Sequence, residues 1–416
     1  MTMMFKPGRE RYVPLFVGGD IVAQSILNEF VPFLIENGFT PVIYLPAYNP
    51  VKGAVSASVS PARHTFKKAS KASKSMVLPD NPEIARFLKL ERKILDEAVF
   101  PFLKQESCPD AKMMTPHQLA QKYGLTIKDV TNVNAPEFLD EIRSLKAKGL
   151  AGALSIRCFQ IFKKPIIDLI KASNDPAHLD PETLGPGEPF FMNLHPGRLP
   201  QYRGVFSTLR AMADFARAAS LYYFGATLHD VNTGIDTGLT YKMKGLPIKS
   251  DESLYAHNLR LVLVATKLLH EFVSEWQGLS ASTNEMKEGI PLHQQISHAG
   301  DKAEYFTNPT NGEMDEMKAM GIRLASVDEV KTALIERYSV PGSDHAKRLE
   351  KVMDRWIADQ GIDPGQDYAG PARTVAAFDR GPSVRSARRV VCGRPPVNDP
   401  GKPPTGTTGG RIALRV

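Results

Sequence analysis

The chain has 416 residues, 42% of them hydrophobic and 23% charged, the balance of a globular protein with a sizeable core. It holds no apolar run of the roughly 18 residues that a membrane helix needs. Its three cysteines, Cys108, Cys158 and Cys392, are too scattered for a disulfide framework or a zinc site and suit a reducing cytoplasm. The net charge of +7 lies from Pro371 onward, where nine Lys/Arg stand against two acids. The preceding residues are balanced, so they make no global case for a polyanion partner. The N-terminus shows no signal-peptide pattern.

Tyr12–Val17 is a short apolar run, followed by Gly18-Gly19-Asp20 and by apolar residues at helical spacing from Ile21 to Asn37. Gly38 ends that helix, and Pro41–Leu45 is a second apolar run. Strand, helix and strand in this order predict a βαβ unit and a parallel sheet. Gly18-Gly19 permits a tight turn but falls short of a dinucleotide fingerprint. Residues 49–78 lose the rhythm, and Arg63 to Lys74 is Lys-rich: a solvated loop, or one that contacts an anion.

Helical periodicity returns over Pro82–Leu103 and Pro116–Tyr123, with a short strand at Leu125–Val130 and a helix over Pro136–Lys148. Ala151–Ile156 reads as a central strand, and Ile166–Ala172 as a short helix. After a Pro/Asp/Gly-rich loop, Pro189–Asn193 is a strand, Phe206–Ala219 a helix, and Leu221–Asp230 and Leu239–Lys244 are strands. Glu252–Trp276 is a long amphipathic helix with Ser250-Asp251 as cap candidates. A polar region to about 320 follows, then helices near Val327–Tyr338 and Asp344–Asp359. The fold class expected is α/β: a Rossmann-like, doubly wound, mostly parallel sheet with a mainly helical C-terminal region. Three segments are expected: a catalytic domain over 10–276, a helical extension over 277–360 and a basic, disordered tail over 361–416.

Two stretches carry chemistry. The first is Asn193-Leu-His195-Pro196-Gly197 at a strand end, where the open face of a parallel sheet binds ligands. An Asn amide and an imidazole one residue apart face the same way and can both donate to one oxyanion. The second is His229-Asp-Val-Asn-Thr-Gly234-Ile235-Asp236-Thr237-Gly238. A carboxylate at 236 near His195 is expected to raise the imidazole's pKa and to accept a proton from an attacking amine. In isolation, Asn193 and His195 could equally be structural strand-end residues, and Asp236 a turn residue.

These residues resemble the folate-dependent formyltransferases. The likeness lies in Asn193-Leu-His195-Pro196, Leu199-Pro200, Tyr202-Arg203-Gly204, Thr227-Leu-His229 and Gly234-Ile-Asp236-Thr-Gly238, and it covers residues 12–276 in order and spacing. The resemblance implies transfer of the formyl group of 10-formyltetrahydrofolate to an amine, with Asn193, His195 and Asp236 catalytic and no metal. It also implies backbone contacts to the pterin from Phe159, Gln160 and Ile161, with His229, Gly234, Ile235 and Thr237 flanking the same cofactor. The His-Pro-Gly pattern is closer to members acting on small amines, such as amino-sugar nucleotides or hydroxyornithine, than to those acting on methionyl-tRNA. The tRNA enzymes carry a C-terminal β-barrel, and residues 277–360 show no strand spacing. The related 10-formyltetrahydrofolate hydrolases use the same trio but carry an N-terminal regulatory domain, for which residues 1–11 leave no room.

Overall fold

The computed structural model describes residues 11–48, 79–172, 189–217, 223–277 and 304–364. The Lys-rich loop at 63–74 and the basic tail from residue 365 onward lie outside the described residues. The sequence pattern sets the opening directly. Strand β1 (Tyr12–Val17) is buried along nearly its whole length, as a strand covered on both faces must be. Asp20 then accepts hydrogen bonds from the amides of Val22 and Ala23 and starts helix α1 (Ile21–Glu36). Strand β2 (Thr40–Pro46) returns parallel to β1.

Helix α2 (Pro82–Leu88) runs through two π-helical stretches, Lys89–Lys93 and Leu95–Val99, into α3 (Phe100–Gln105). Helix α4 (Pro116–Tyr123), strand β3 (Thr126–Val130), helix α5 (Pro136–Gly149), strand β4 (Gly152–Ile156) and helix α6 (Lys164–Lys171) follow. Then come β5 (Phe190–His195), β6 (Tyr202–Gly204), α7 (Ser207–Ala216), β7 (Tyr223–Asp230), β8 (Thr240–Pro247) and α8 (Leu254–Trp276).

Seven strands form one sheet in the order β3-β2-β1-β4-β5-β7-β8. The first five pair in parallel and β7 and β8 are antiparallel additions. Parallel pairing of β1, β4 and β5 brings their carboxyl ends together, with Val17 opposite Ile156 and Ile156 opposite Leu194. This is the edge where an open α/β sheet holds its ligands. One buried cluster includes Ile26, Leu154 and Leu268, and a second, including Phe16, Phe138 and Phe191, covers the opposite face.

Three elements depart from the sequence reading. The cap of α8 is Ser253, not Ser250 or Asp251: its Oγ accepts from the Ala256 amide, and the helix begins only at Leu254. The polar region before residue 320 holds a helix, α9 (Asn311–Ala319), whose buried residues are only Met314 and Met317. A stripe that thin gives little periodicity to read. Strand β9 (Glu304–Phe306) pairs in parallel with β6, across about a hundred residues of chain. Helices α10 (Val327–Tyr338) and α11 (Asp344–Asp359) lie where the sequence reading expects them, and Leu334, Leu349 and Met353 join the core that contains α1 and α8. Among the described residues, no helix is long and apolar enough to cross a membrane.

Candidate active site

Strand β5 persists to His195, so Asn193 and His195 project on the same side of the sheet. The antiparallel partner β7 sets Asn193 opposite His229. Directly opposed residues share a face, which carries His229 into the group. Asn193 Nδ2 lies 3.0 Å from His229 Nε2. Beyond β7, the Asn232 carboxamide oxygen accepts from the Gly234 amide at 3.0 Å and from the Thr237 hydroxyl at 2.8 Å. That tight turn folds back with Asp236 itself in the left-handed region, φ 51°.

The Asp236 carboxylate is thereby fixed between four neighbours. Oδ2 accepts from the Gly204 amide at 2.8 Å and lies 3.5 Å from His195 Nδ1. Oδ1 lies 3.5 Å from both His229 Nε2 and Asn193 Nδ2. Gly204 has φ 91°, and a Cβ there would sit 2.2 Å from the Phe306 carbonyl oxygen. Only glycine lets β6 pair with β9 and still aim its amide at the carboxylate.

Hydrogen-bond partners settle which ring nitrogens carry protons. His229 Nδ1 faces the Asp230 carbonyl at 2.8 Å and donates to it, so Nε2 offers its lone pair to Asn193. His195 Nε2 faces the Tyr202 carbonyl at 2.7 Å and must donate to it. The open nitrogen of His195 is therefore Nδ1, on the Asp236 side.

The expected rise in the His195 pKa does not occur. Burial pushes the imidazole below its ordinary value and outweighs the upward pull of Asp236, while His229 and Arg157 push the same way as burial. The ring is only 3% exposed, and the expectation from sequence counted the carboxylate but not the desolvation. Asp236 moves as a paired carboxylate should. Burial opposes its ionisation, but His195, His229 and the Gly204 amide more than offset this and hold it well below the usual range.

The trio borders a cleft of about 260 Å³. Phe159, Gln160, Ile161, Gly234 and Ile235 also border it, and Thr237 lies behind in the Asn232 turn. Gln160 is buried and ties its own turn to two other backbone segments: its Oε1 accepts from the Val133 amide, and its Nε2 donates to the carbonyls of Ala47 and Thr131. Phe159 carries the Arg92 guanidinium 3.6 Å above its ring centroid. His229 borders the same cleft, nearly buried beside Asn193 and Asp236.

Several participants are not legible in the sequence. Arg157, in the left-handed region at φ 53°, reaches Asp20 at 2.8 Å and Glu91 at 3.1 Å. Arg92 and Asn258 complete this buried network beneath the cleft. Ser207 Oγ lies 3.1 Å from His195 Nε2, and Tyr305 and Asn308 from the C-terminal region border the cleft. Only Asp20, directly after the Gly-Gly turn, carried a sequence signal, and it pointed to a turn. Arg157, Phe206 and Asp236, the non-glycine residues with positive φ among those described, all border this one cleft. Strain of that kind gathers at functional sites.

No family model matches the chain. Over 182 residues it is 23% identical to a methionyl-tRNA formyltransferase of Kosmotoga olearia, a match covering 44% of this chain and 49% of that protein. The sequence similarity found is thus to a formyltransferase. The chain spans about half the length of the curated relative it matches. Among solved structures, the chain overlaps a sugar N-formyltransferase from a Shewanella species at a TM-score of 0.38 and 12% identity, over 77% of this chain and 94% of that one. It overlaps an N-formyltransferase from Helicobacter canadensis, in complex with folinic acid and dTDP-3-aminofucose, at 0.40 and 13%, over 77% and 85%.

Proposed function

We propose that the protein transfers the formyl group of 10-formyltetrahydrofolate to the amine of a small-molecule acceptor, an amino-sugar nucleotide or a hydroxyornithine-like compound. The reading rests above all on one observation: Asn193 Nδ2 and His195 Nδ1, from a strand end, each lie 3.5 Å from the carboxylate of Asp236, from a distant turn. The catalytic domain in this reading is 10–276, with 277–360 as its helical extension.

When bound, the folate supplies a formyl carbon whose oxygen gathers negative charge as an amine attacks. Asn193 Nδ2 keeps one hydrogen on His229 and turns the other, held loosely at 3.5 Å by Asp236, to that oxygen. His195 begins neutral, because burial lowers its pKa. Its Nδ1 lone pair takes the proton that the attacking amine must lose, directly or through Asp236. The imidazolium formed stands beside both the carboxylate and the new oxyanion, and it would return its proton to the departing folate nitrogen as the formyl carbon–nitrogen bond breaks. Phe159, Gln160 and Ile161 bind the pterin through their backbone, with Gly234, Ile235 and Thr237 on the other side. The residues need no metal for these steps.

A second cleft of about 1620 Å³, bordered by Gly18, Pro46 and Thr131, offers room for an acceptor. Tyr48, Arg92 and Phe159 border both clefts. The name of the matched relative favours methionyl-tRNA as a second acceptor to try.

The test is incubation with 10-formyltetrahydrofolate and a panel of amines, methionyl-tRNA among them, following tetrahydrofolate release. Amine-dependent release by the parent, absent in Asn193→Ala, supports the transferase. Formate release without any amine supports a hydrolase instead.

A further inference from the structure

We infer that Ser207 is a positioning residue of the catalytic centre, which together with the Tyr202 carbonyl pins the Nε2–H of His195 and leaves Nδ1 as the only edge that exchanges a proton. Ser207 is the first residue of α7, entered through Phe206 in the left-handed region at φ 57°. The hydroxyl is buried, 3.1 Å from His195 Nε2 and 3.5 Å from the Gly204 carbonyl. The carbonyl can only accept, so the hydroxyl hydrogen goes to Gly204 and the Oγ lone pair faces the ring. Nε2 thus donates to two oxygens, the Tyr202 carbonyl at 2.7 Å and Ser207 Oγ.

The turn after His195 is shaped around this contact. A Cβ on Gly197 would stand 2.5 Å from Ser207 Cβ, 2.9 Å from its Oγ and 2.8 Å from His195 Nε2. No real Cβ approaches that closely, so the Pro196-Gly197 step keeps the space in which the serine meets the ring. Thr227 Oγ1, donating to the Gly197 carbonyl at 2.7 Å, holds the turn down.

The consequence is chemical. A ring nitrogen bonded by two acceptors does not rotate to meet substrate, and its bonds strengthen when the ring becomes an imidazolium. Ser207 therefore raises the affinity of Nδ1 for a proton. The groups facing the ring act in known directions: Asp236 and the Tyr202 carbonyl raise it, while burial, His229 on β7 and Arg157 after β4 lower it. Ser207 adds to the first set, supplied by α7.

This inference rests on the formyl-transfer reading for its catalytic meaning but not for its measurement. Side-chain nitrogen NMR of the full chain reads the His195 titration directly, without substrate. Ser207→Ala is expected to lower the midpoint by about one unit, the size of one hydrogen bond to a charged group. Ser207→Thr, which keeps the hydroxyl, is expected to stay near the parent. With an acceptor in hand, Ser207→Ala should lower kcat about tenfold with KM little changed and carry the acidic limb of the rate profile to lower pH. An unchanged His195 midpoint in Ser207→Ala overturns the inference. Should Ser207→Ala fail to fold, a Ser207→Thr midpoint shifted as far as that of Ser207→Cys, which has only a weak acceptor, overturns it too. If the midpoint shifts but the parent formylates no amine, the proposed reaction fails and the positioning role stands.

Discussion

Asn193 and His229 face each other across the antiparallel pair β5 and β7, with Nδ2 of the amide 3.0 Å from Nε2 of the ring. Because His229 Nδ1 donates to the Asp230 carbonyl, Nε2 is fixed as an acceptor, and the amide cannot flip without setting a carbonyl against a lone pair. The orientation of the proposed oxyanion donor is thus decided by a residue one strand away. His229→Ala is expected to cut kcat about a hundredfold, the scale of a misaligned catalytic group, while the far-UV spectrum stays native. His229→Gln, which still offers an oxygen acceptor, should recover part of the loss. Steady-state rates on purified variants check this.

Asn193→Ala and Asp236→Asn should fail differently. Removing Asn193 takes away a donor to the developing charge, and kcat is expected to fall on the order of 10²–10³-fold with the pH profile unmoved. Asp236→Asn keeps the shape but withdraws the charge that stabilises the imidazolium. Its rate should fall as well, and the His195 midpoint should move down further, since Asp236 is the main group pulling it up. Rate profiles across pH, measured on both variants, separate the two.

Stability should fall with acid in two stages. Burial lowers the folded His195 pKa, so the unfolded chain binds the proton more readily, and stability is lost as pH drops below the ordinary histidine value of about 6.5. Asp236 is also lowered, so its contribution is present above about pH 4 and is lost as pH falls towards its folded value. Thermal melting of the parent should decline across both windows. In His195→Gln the upper stage should shrink, and in Asp236→Asn the lower one should.

Arg157 is the cation between Asp20 and Glu91, at 2.8 and 3.1 Å, with all three side chains buried. Replacing it with Met leaves two carboxylates sharing Arg92 as the cation of this network. Arg157→Met is expected to cost about 3–5 kcal/mol, read from the urea midpoint, because an unpaired buried charge is far more expensive than a missing pair. Arg157→Lys should recover little, since the ammonium cannot present the two-pronged guanidinium geometry.

The sequence by itself determined the framework. Apolar runs bounded by Gly and Pro give β1, β2, β4 and β5, and helical spacing gives α1, α5 and α8, because each pattern matches the period of one element and of no other. It also named the two stretches that carry Asn193, His195 and Asp236. Only the tertiary structure decided how those groups work. Antiparallel pairing brought His229 behind Asn193. The β6–β9 pair, three residues on each side and far apart in the chain, fixed Gly204 under Asp236. Burial reversed the expected direction of the His195 pKa. Ser207 entered through a helix start. Each of these depends on contacts between distant segments and on the water they exclude, which residue spacing along a chain does not encode.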